Sequence, residues 1–211
     1  MCSSDLYGAY LRGRNVFWEG DDRAQAEFRR AVAIDTTFAE GYAALGEAAI
    51  IKDYLSPADT AVATTFAVAD AAIHRALRLD PNLAAGHRAL GALMSGRDFD
   101  WIGAEREFRR AIDFEPSPLT FVMYGLMLNR LGRDRDAGIL FLQAALADPS
   151  SKGAKKAIAW NLVAAGDTAG ALREAARQLA VDSTHTAVAE IFIEIAAARG
   201  LLPEADRKSV V

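Results

Sequence analysis

The 211-residue chain is 52% hydrophobic and 25% charged, with 24 basic and 28 acidic side chains and a formal charge of −4. Charged residues break up every apolar stretch, so no run is long enough to cross a bilayer as a helix. The mild acidity also speaks against the cationic footprint that a nucleic-acid surface requires. One cysteine and six prolines spread singly exclude an internal disulfide and a Pro-rich linker.

In chain order, the first element stands apart from the rest of the chain. "MCSSDL" (residues 1–6) and, at the far end, "DRKSVV" (206–211) resemble the translation of a common short-read sequencing adapter and its partner. One supplies a start codon and the other a stop. Both ends are expected to be non-native and are set aside as a fusion scar would be. On that reading 7–205 is an internal piece of a longer gene, and that piece has no cysteine.

Between the ends the chain repeats itself. Five segments align, four of them on a small residue, each with an apolar neighbour and a stop at or just after its end: "AQAEFRRAVAID" (Ala24–Asp35), "AIHRALRLDP" (Ala72–Pro81), "AEREFRRAIDFEP" (Ala104–Pro116), "AGILFLQAALADP" (Ala137–Pro149) and "ALREAARQLAVDS" (Ala171–Ser183). Aligned on one position they place Ala31, Ala76, Ala111, Ala144 and Gln178 in register, with steps of 45, 35, 33 and 34. The period is therefore 34, with about eleven residues inserted in the second copy and one extra residue in the next step.

Each unit reads as two helices. The second carries A-x3-F-x2-A-x4-P, as in Ala104, Phe108, Ala111 and Pro116, or Ala137, Phe141, Ala144 and Pro149. Spacings of four and seven put these residues on one helical face. The alanines allow close approach, the aromatic fills the gap, and proline stops the helix. The first helix carries an aromatic or similar residue, an apolar one three later and then a small one: Tyr42, Leu45, Gly46; His87, Leu90, Gly91; Phe121, Tyr124, Gly125. Gly132, Gly166 and Gly200 stand where the helices turn, in the left-handed conformation glycine permits. The insertion, Ile50–Ala67, stays apolar and Ala-rich, so it is expected to lengthen both helices of its unit, with Ser56 as N-cap and Pro57 at the first helical position.

The period and these positions resemble the tetratricopeptide repeat (TPR) family. The likeness covers units 7–36, 37–81, 82–116, 117–149, 150–183 and a truncated 184–205. It implies an all-α fold, a right-handed superhelical solenoid of antiparallel helix pairs. Unit five departs most, with Ala175 in place of the aromatic and Gln178 in place of the small residue. More narrowly, "YLRGRNVFWEGD", the insertion and "DFDWIGAEREFRRAI" look like TPR arms of multidomain bacterial regulators with winged-helix, cyclase or kinase domains.

Catalytic constellations are absent from the sequence. It holds no H-E-x-x-H, no Gly-rich phosphate loop and no G-x-S-x-G, so no enzyme activity, cofactor or metal is expected. His87 occupies an aromatic packing position, and His74 and His185 are not expected to pair as ligands. In "EREFRR", Glu105 and Arg109 are expected to form a one-turn pair on the solvent face. Lys152, Lys155 and Lys156 read as a solvated helix end. Trp18 and Trp101 are expected near inter-helix turns.

The resemblance implies a protein or peptide partner, no nucleic-acid contact by this segment and a groove lined by first helices. Projecting that face along the array picks out Glu47, Arg88, Leu126, Asn129, Arg130, Lys156, Trp160, Glu190 and Glu194. The Lys/Asn clamp by which some TPR domains grip a C-terminal carboxylate is not present, because Trp160 follows Lys156 and Ala92 follows Arg88 one turn later. The expected role is a protein-interaction scaffold, or alternatively the sensing or self-association arm of a regulator or signalling enzyme. Oligomeric state and compartment stay open, with the cytoplasm favoured.

Overall fold

A computed structural model describes residues 3–17, 22–55 and 62–167, and beyond them 169–171, 173–174 and 177. Nine α-helices follow one another among these residues, with no strand: α1 (Ser3–Asn15), α2 (Asp22–Ile34), α3 (Ala39–Leu55), α4 (Val62–Leu79), α5 (Ala84–Leu93), α6 (Trp101–Phe114), α7 (Pro118–Arg130), α8 (Asp134–Ala147) and α9 (Lys152–Ala164). The chain divides into two compact units, Met1–Pro116 and Ser117–Val211. In the N-terminal unit α1 packs on α2, α3 on α4 and α5 on α6, with α2 and α5 also against α3. In the C-terminal unit α7 packs on α8, and α9 covers both.

What joins each pair is a glycine on the first helix facing a bulky side chain on the second. A Cβ on Gly13 would stand 2.6 Å from the Phe28 ring, one on Gly46 2.5 Å from Ile73, and one on Gly91 3.1 Å from Phe108. Gly125 meets Phe141 in the same way in the C-terminal unit. Phe28, Phe108 and Phe141 are fully buried, each contributing on the order of 2 kcal/mol by leaving water. The alanines of the motif, Ala24, Ala31, Ala104, Ala111, Ala137 and Ala144, are buried beside them.

The spacing between glycine and aromatic varies while the contact does not. It is 15 residues from Gly13 to Phe28, 17 from Gly91 to Phe108 and 16 from Gly125 to Phe141. The additional residue in the third repeat is taken up by a π-helical turn, Met94–Asp98, that continues α5. Phe99 then closes it at φ 53, the only non-glycine residue at positive φ among those described. A one-residue insertion into a helix is accommodated in this way because an i→i+5 turn absorbs it without shifting the residues on either side. Arg97 anchors the turn through Asp98 (2.6 Å) and Asp70 of α4 (2.8 Å), and those two carboxylates hold its guanidinium protonated well above the ordinary value.

The larger insertion is absorbed by length. α3 and α4 run to 17 and 18 residues, against 13 or 14 in α1, α2, α6, α7 and α8. The expected cap at Ser56 and Pro57 lies outside the described residues. So do Trp18, Ala175, Gln178, His185, Gly200 and the segment 206–211. At the other end α1 begins at Ser3, and Leu6, within the segment expected to be non-native, packs in a cluster with Ala9 and Ala31. It lies one turn before Tyr10, on the apolar face of the helix.

Three of the described repeats end in a short local device. Asp35, Asp80 and Asp148 accept the backbone N–H two residues on, from Thr37 (2.8 Å), Asn82 (2.9 Å) and Ser150 (2.9 Å). Such a turn gives the chain an alternative to further helix. Thr37 and Ser150 also donate their hydroxyls, and these bonds hold the Asp35 and Asp148 carboxyls below the usual range. Ser117 and Ser151 then cap α7 and α9 by accepting from Thr120 and Ala154. Gly132 and Gly166 adopt φ 70 and 80 at the ends of α7 and α9.

Candidate partner-binding face

In the N-terminal unit the first helices meet around one carboxylate. Glu47 of α3 is completely buried, and Arg88 of α5 binds it through two nitrogens, Nε to Oε1 at 2.5 Å and Nη2 to Oε2 at 3.1 Å. The fork of a guanidinium matches a carboxylate in this geometry, and each ion compensates the desolvation of the other. Arg14 of α1 also approaches it, its Nη1 3.9 Å from Glu47 Oε2 and its guanidinium 5.4 Å from the centre of the Phe17 ring. Tyr10, one turn earlier in α1, lies in the same field. Burial raises its phenol above the ordinary value, and Arg14 opposes that rise.

His87, next to Arg88, is buried as the repeat requires of its aromatic position. Its ring stacks on Phe114 at 5.3 Å, with Nδ1 2.6 Å from Glu107 of α6 and Nε2 2.9 Å from the carbonyl of Pro81. Glu107 also accepts from Arg110 at 3.1 Å. Inside "EREFRR", then, one carboxylate turns inward while Glu105 and Arg109 pair at 2.7 Å on the outside. Phe99, at 67% exposed, and Ile102, at 78%, stand at the mouth of the α5–α6 connection, with Trp101 edge-on to Phe99 at 5.9 Å.

The first helices of the C-terminal unit are less sealed. Leu126, Asn129 and Trp160 are half-buried and Arg130 is exposed. The Oδ1 atoms of Asn129 and of Asn161 are buried without a hydrogen-bond donor among the described residues. Trp160, Leu162 and Val163 pack around Ala159 and Ala171. The side chain of Lys156 and residues Glu190 and Glu194 lie outside what is described, as does the side chain of Lys152. Lys155, the remaining member of that basic cluster, sits within the field of Asp148.

Three participants are not picked out by the repeat pattern. Arg14 escapes it through register: counting back from Ala24 by the twelve residues that separate Gly125 from Ala137 lands on Arg12, which instead pairs with Glu27 at 2.8 Å. Gly13 supplies the right count, because Arg14, Glu47, Leu126 and Trp160 each follow the small seam residue, Gly13, Gly46, Gly125 or Ala159. Glu107 and Asn161 carry no sequence signal that separates them from solvent-facing neighbours.

Among the described residues no cluster of three or more His, Cys, Asp or Glu could hold a metal ion, and no helix is long and apolar enough to cross a membrane. The pair of His74 and Asp70, 3.7 Å apart on α4, is an exposed one-turn contact.

Compared as a sequence, the chain matches no family model and no curated protein. Compared as a structure, it is similar to solved helical-repeat proteins. A thermophilic TPR protein of Thermus thermophilus superposes with a TM-score of 0.59 at 19% identity, over 75% of this chain and 81% of that one. Yeast Tom70 gives 0.61 at 19%, over 94% of this chain, which spans only 41% of Tom70. YrrB, described as a TPR protein with an unusual peptide-binding site, gives 0.51 at 17%, over 90% and 91% of the two chains. The 34-residue period, the paired helices, the small-residue seam and these superpositions agree: the chain has the tetratricopeptide-repeat fold.

Proposed function

We propose that the chain is a non-catalytic protein-interaction scaffold that binds a partner peptide or helix along its first-helix faces. The observation that carries this reading is the surface of the C-terminal unit. There Trp160 and Leu126 are half-buried and Asn129 keeps a buried carbonyl oxygen without a donor. An aromatic anchor and an unsatisfied acceptor on the first helices of one unit suit an extended segment that supplies both an apolar side chain and a backbone N–H. The peptide-binding site named for YrrB, which shares the fold, supports the same reading. Glu47 and Arg88 serve as the rigid support of the array, while Leu126, Asn129, Arg130, Lys156, Trp160, Glu190 and Glu194 are the contact candidates.

Affinity capture with the immobilised chain tests this proposal. Trp160→Ala and Asn129→Leu should each reduce recovery of a captured protein several-fold, with helicity unchanged by circular dichroism. Equal recovery by wild type and both variants would overturn it.

A further inference from the structure

The second helices differ on the side turned away from the seam. Counted from Ala31, Ala76, Ala111 and Ala144, the positions five and two residues before and two after are exposed in α2, α4, α6 and α8 alike. In α6 they hold Arg106, Arg109 and Asp113, and in α2 and α4 no apolar side chain larger than alanine. In α8 they hold Ile139, Leu142 and Leu146, exposed at 52%, 56% and 81%. Steps of three and four residues make these one stripe along the helix. A contiguous apolar stripe of this kind marks an interaction surface, which a scattering of single apolar residues does not.

The two ends of the stripe are opposite in character. Arg135 is exposed in line with it, one turn before Ile139. The first turn also carries Asp134 and Asp136. Asp136 is tied to Arg133 at 2.8 Å, and Asp134 stands about 100° around the helix from Arg135. At the other end α8 leaves carbonyls behind. Pro149 has no N–H, Ser150 donates its own to the Asp148 carboxylate (2.9 Å) and Ser151 to the Asp148 carbonyl (3.0 Å). Ala145, Leu146 and Ala147 therefore keep carbonyls that lack their in-helix donors, at the negative end of the helix dipole. No basic side chain stands in that last turn, and Lys155, past it, acts on the Asp148 carboxylate.

We propose that the outer face of α8 receives the same face of a second copy of this chain, antiparallel across a two-fold axis. Ile139 then lies against Leu142 of the second copy, and Leu142 against its Ile139. The same symmetry puts Arg135 beside Leu146 of the second copy, because both pairings share one centre on the helix. The stem of Arg135 covers that leucine, the most exposed of the three. Its guanidinium reaches the carbonyls left at the facing helix end. A parallel pairing would set Arg135 against Arg135 and leave those carbonyls unmet.

Sedimentation velocity on the full chain tests this. The interface is small, so a reversible dimer is expected, forming between about 1 µM and about 1 mM. Leu142→Glu and Leu146→Gln, both surface changes, should each weaken it at least about tenfold, with helicity unchanged by circular dichroism. Arg135→Glu should weaken it comparably and Arg135→Lys less, while Arg106→Ala, at the matching place in α6, should leave it intact. A single-chain mass at every concentration would overturn the proposal, whether chain beyond residue 177 or another protein then covers the stripe. So would association that grows past two chains, or a dimer that neither Leu142→Glu nor Arg135→Glu weakens.

Discussion

The first-helix face of residues 1–116 and that of residues 117–211 occupy the same positions in the repeat, yet they satisfy their polar groups in opposite ways. In the N-terminal unit the residue after the seam glycine is Arg14, Glu47 or Ala92; Glu47 is buried against Arg88, with Arg14 3.9 Å away. In the C-terminal unit the same position holds Leu126 or Trp160, half-buried, and Asn129 and Asn161 bury carbonyl oxygens that no donor among the described residues reaches. A buried ion pair is expensive to disturb and fixes the relative placement of two helices. An orphaned amide is expensive to keep and gains from a visitor. One repeat framework thus carries a locked region and an unsatisfied one, and the difference lies in a handful of side chains.

Breaking the lock should give the largest effect. Glu47→Ala removes the carboxylate that buried Arg88 binds through two nitrogens, and chemical denaturation should show a loss of about 3–5 kcal/mol. The double change Glu47→Leu with Arg88→Met should recover most of it, since well-packed apolar residues replace such pairs at little cost. Next comes the seam common to both units. Gly125→Ala drives a methyl into the Phe141 ring and should cost about 1–3 kcal/mol, as should Gly13→Ala against Phe28 in the N-terminal unit. If only one of the two destabilises, the units are not held by the same contact. A smaller effect of opposite sign is expected at the unsatisfied face. Asn161→Leu removes a buried acceptor that has no donor, so stability should rise by about 1 kcal/mol.

The smallest effect concerns the ends of the second helices. The Asp35 and Asp148 carboxyls are depressed by their bonds to Thr37 and Ser150. Their contribution is therefore present above the ordinary carboxylate range and is lost as pH falls through the depressed folded values. Both are at the surface, so the change is slight. Thermal melts from pH 7 to pH 3 should show a shallower decline for the Asp35→Asn, Asp148→Asn double variant than for wild type. A parallel decline would remove these turns as a source of pH dependence.

Much of the fold was legible because it is written in a period. Alanines and an aromatic at four- and seven-residue spacing have one way to be buried together on a helix, and repetition every 34 residues forces the same pairing each time. The insertion was legible for a related reason: an apolar, Ala-rich stretch extends helices more readily than it forms a loop. The extra residue in the third repeat was visible as a count, but its form was not. A π-turn ending in a left-handed Phe99 depends on α6 being held in register by Phe108 against Gly91, a contact between helices that a linear count does not contain.

The candidate face was less legible still. Glu47 and Arg88 were projected as lining residues, and their mutual bidentate bond joins positions 41 residues apart across the insertion. Arg14 was displaced by one residue because the first connection is one residue short. By itself, then, the sequence determined the repeat, the helix pairs, the seam and the stops, all of which follow from local spacing and from burial that every unit shares. Only the tertiary structure decided which polar groups on the first helices are neutralised and which are not, because neutralisation depends on distances between helices, and those are set by how the seams pack.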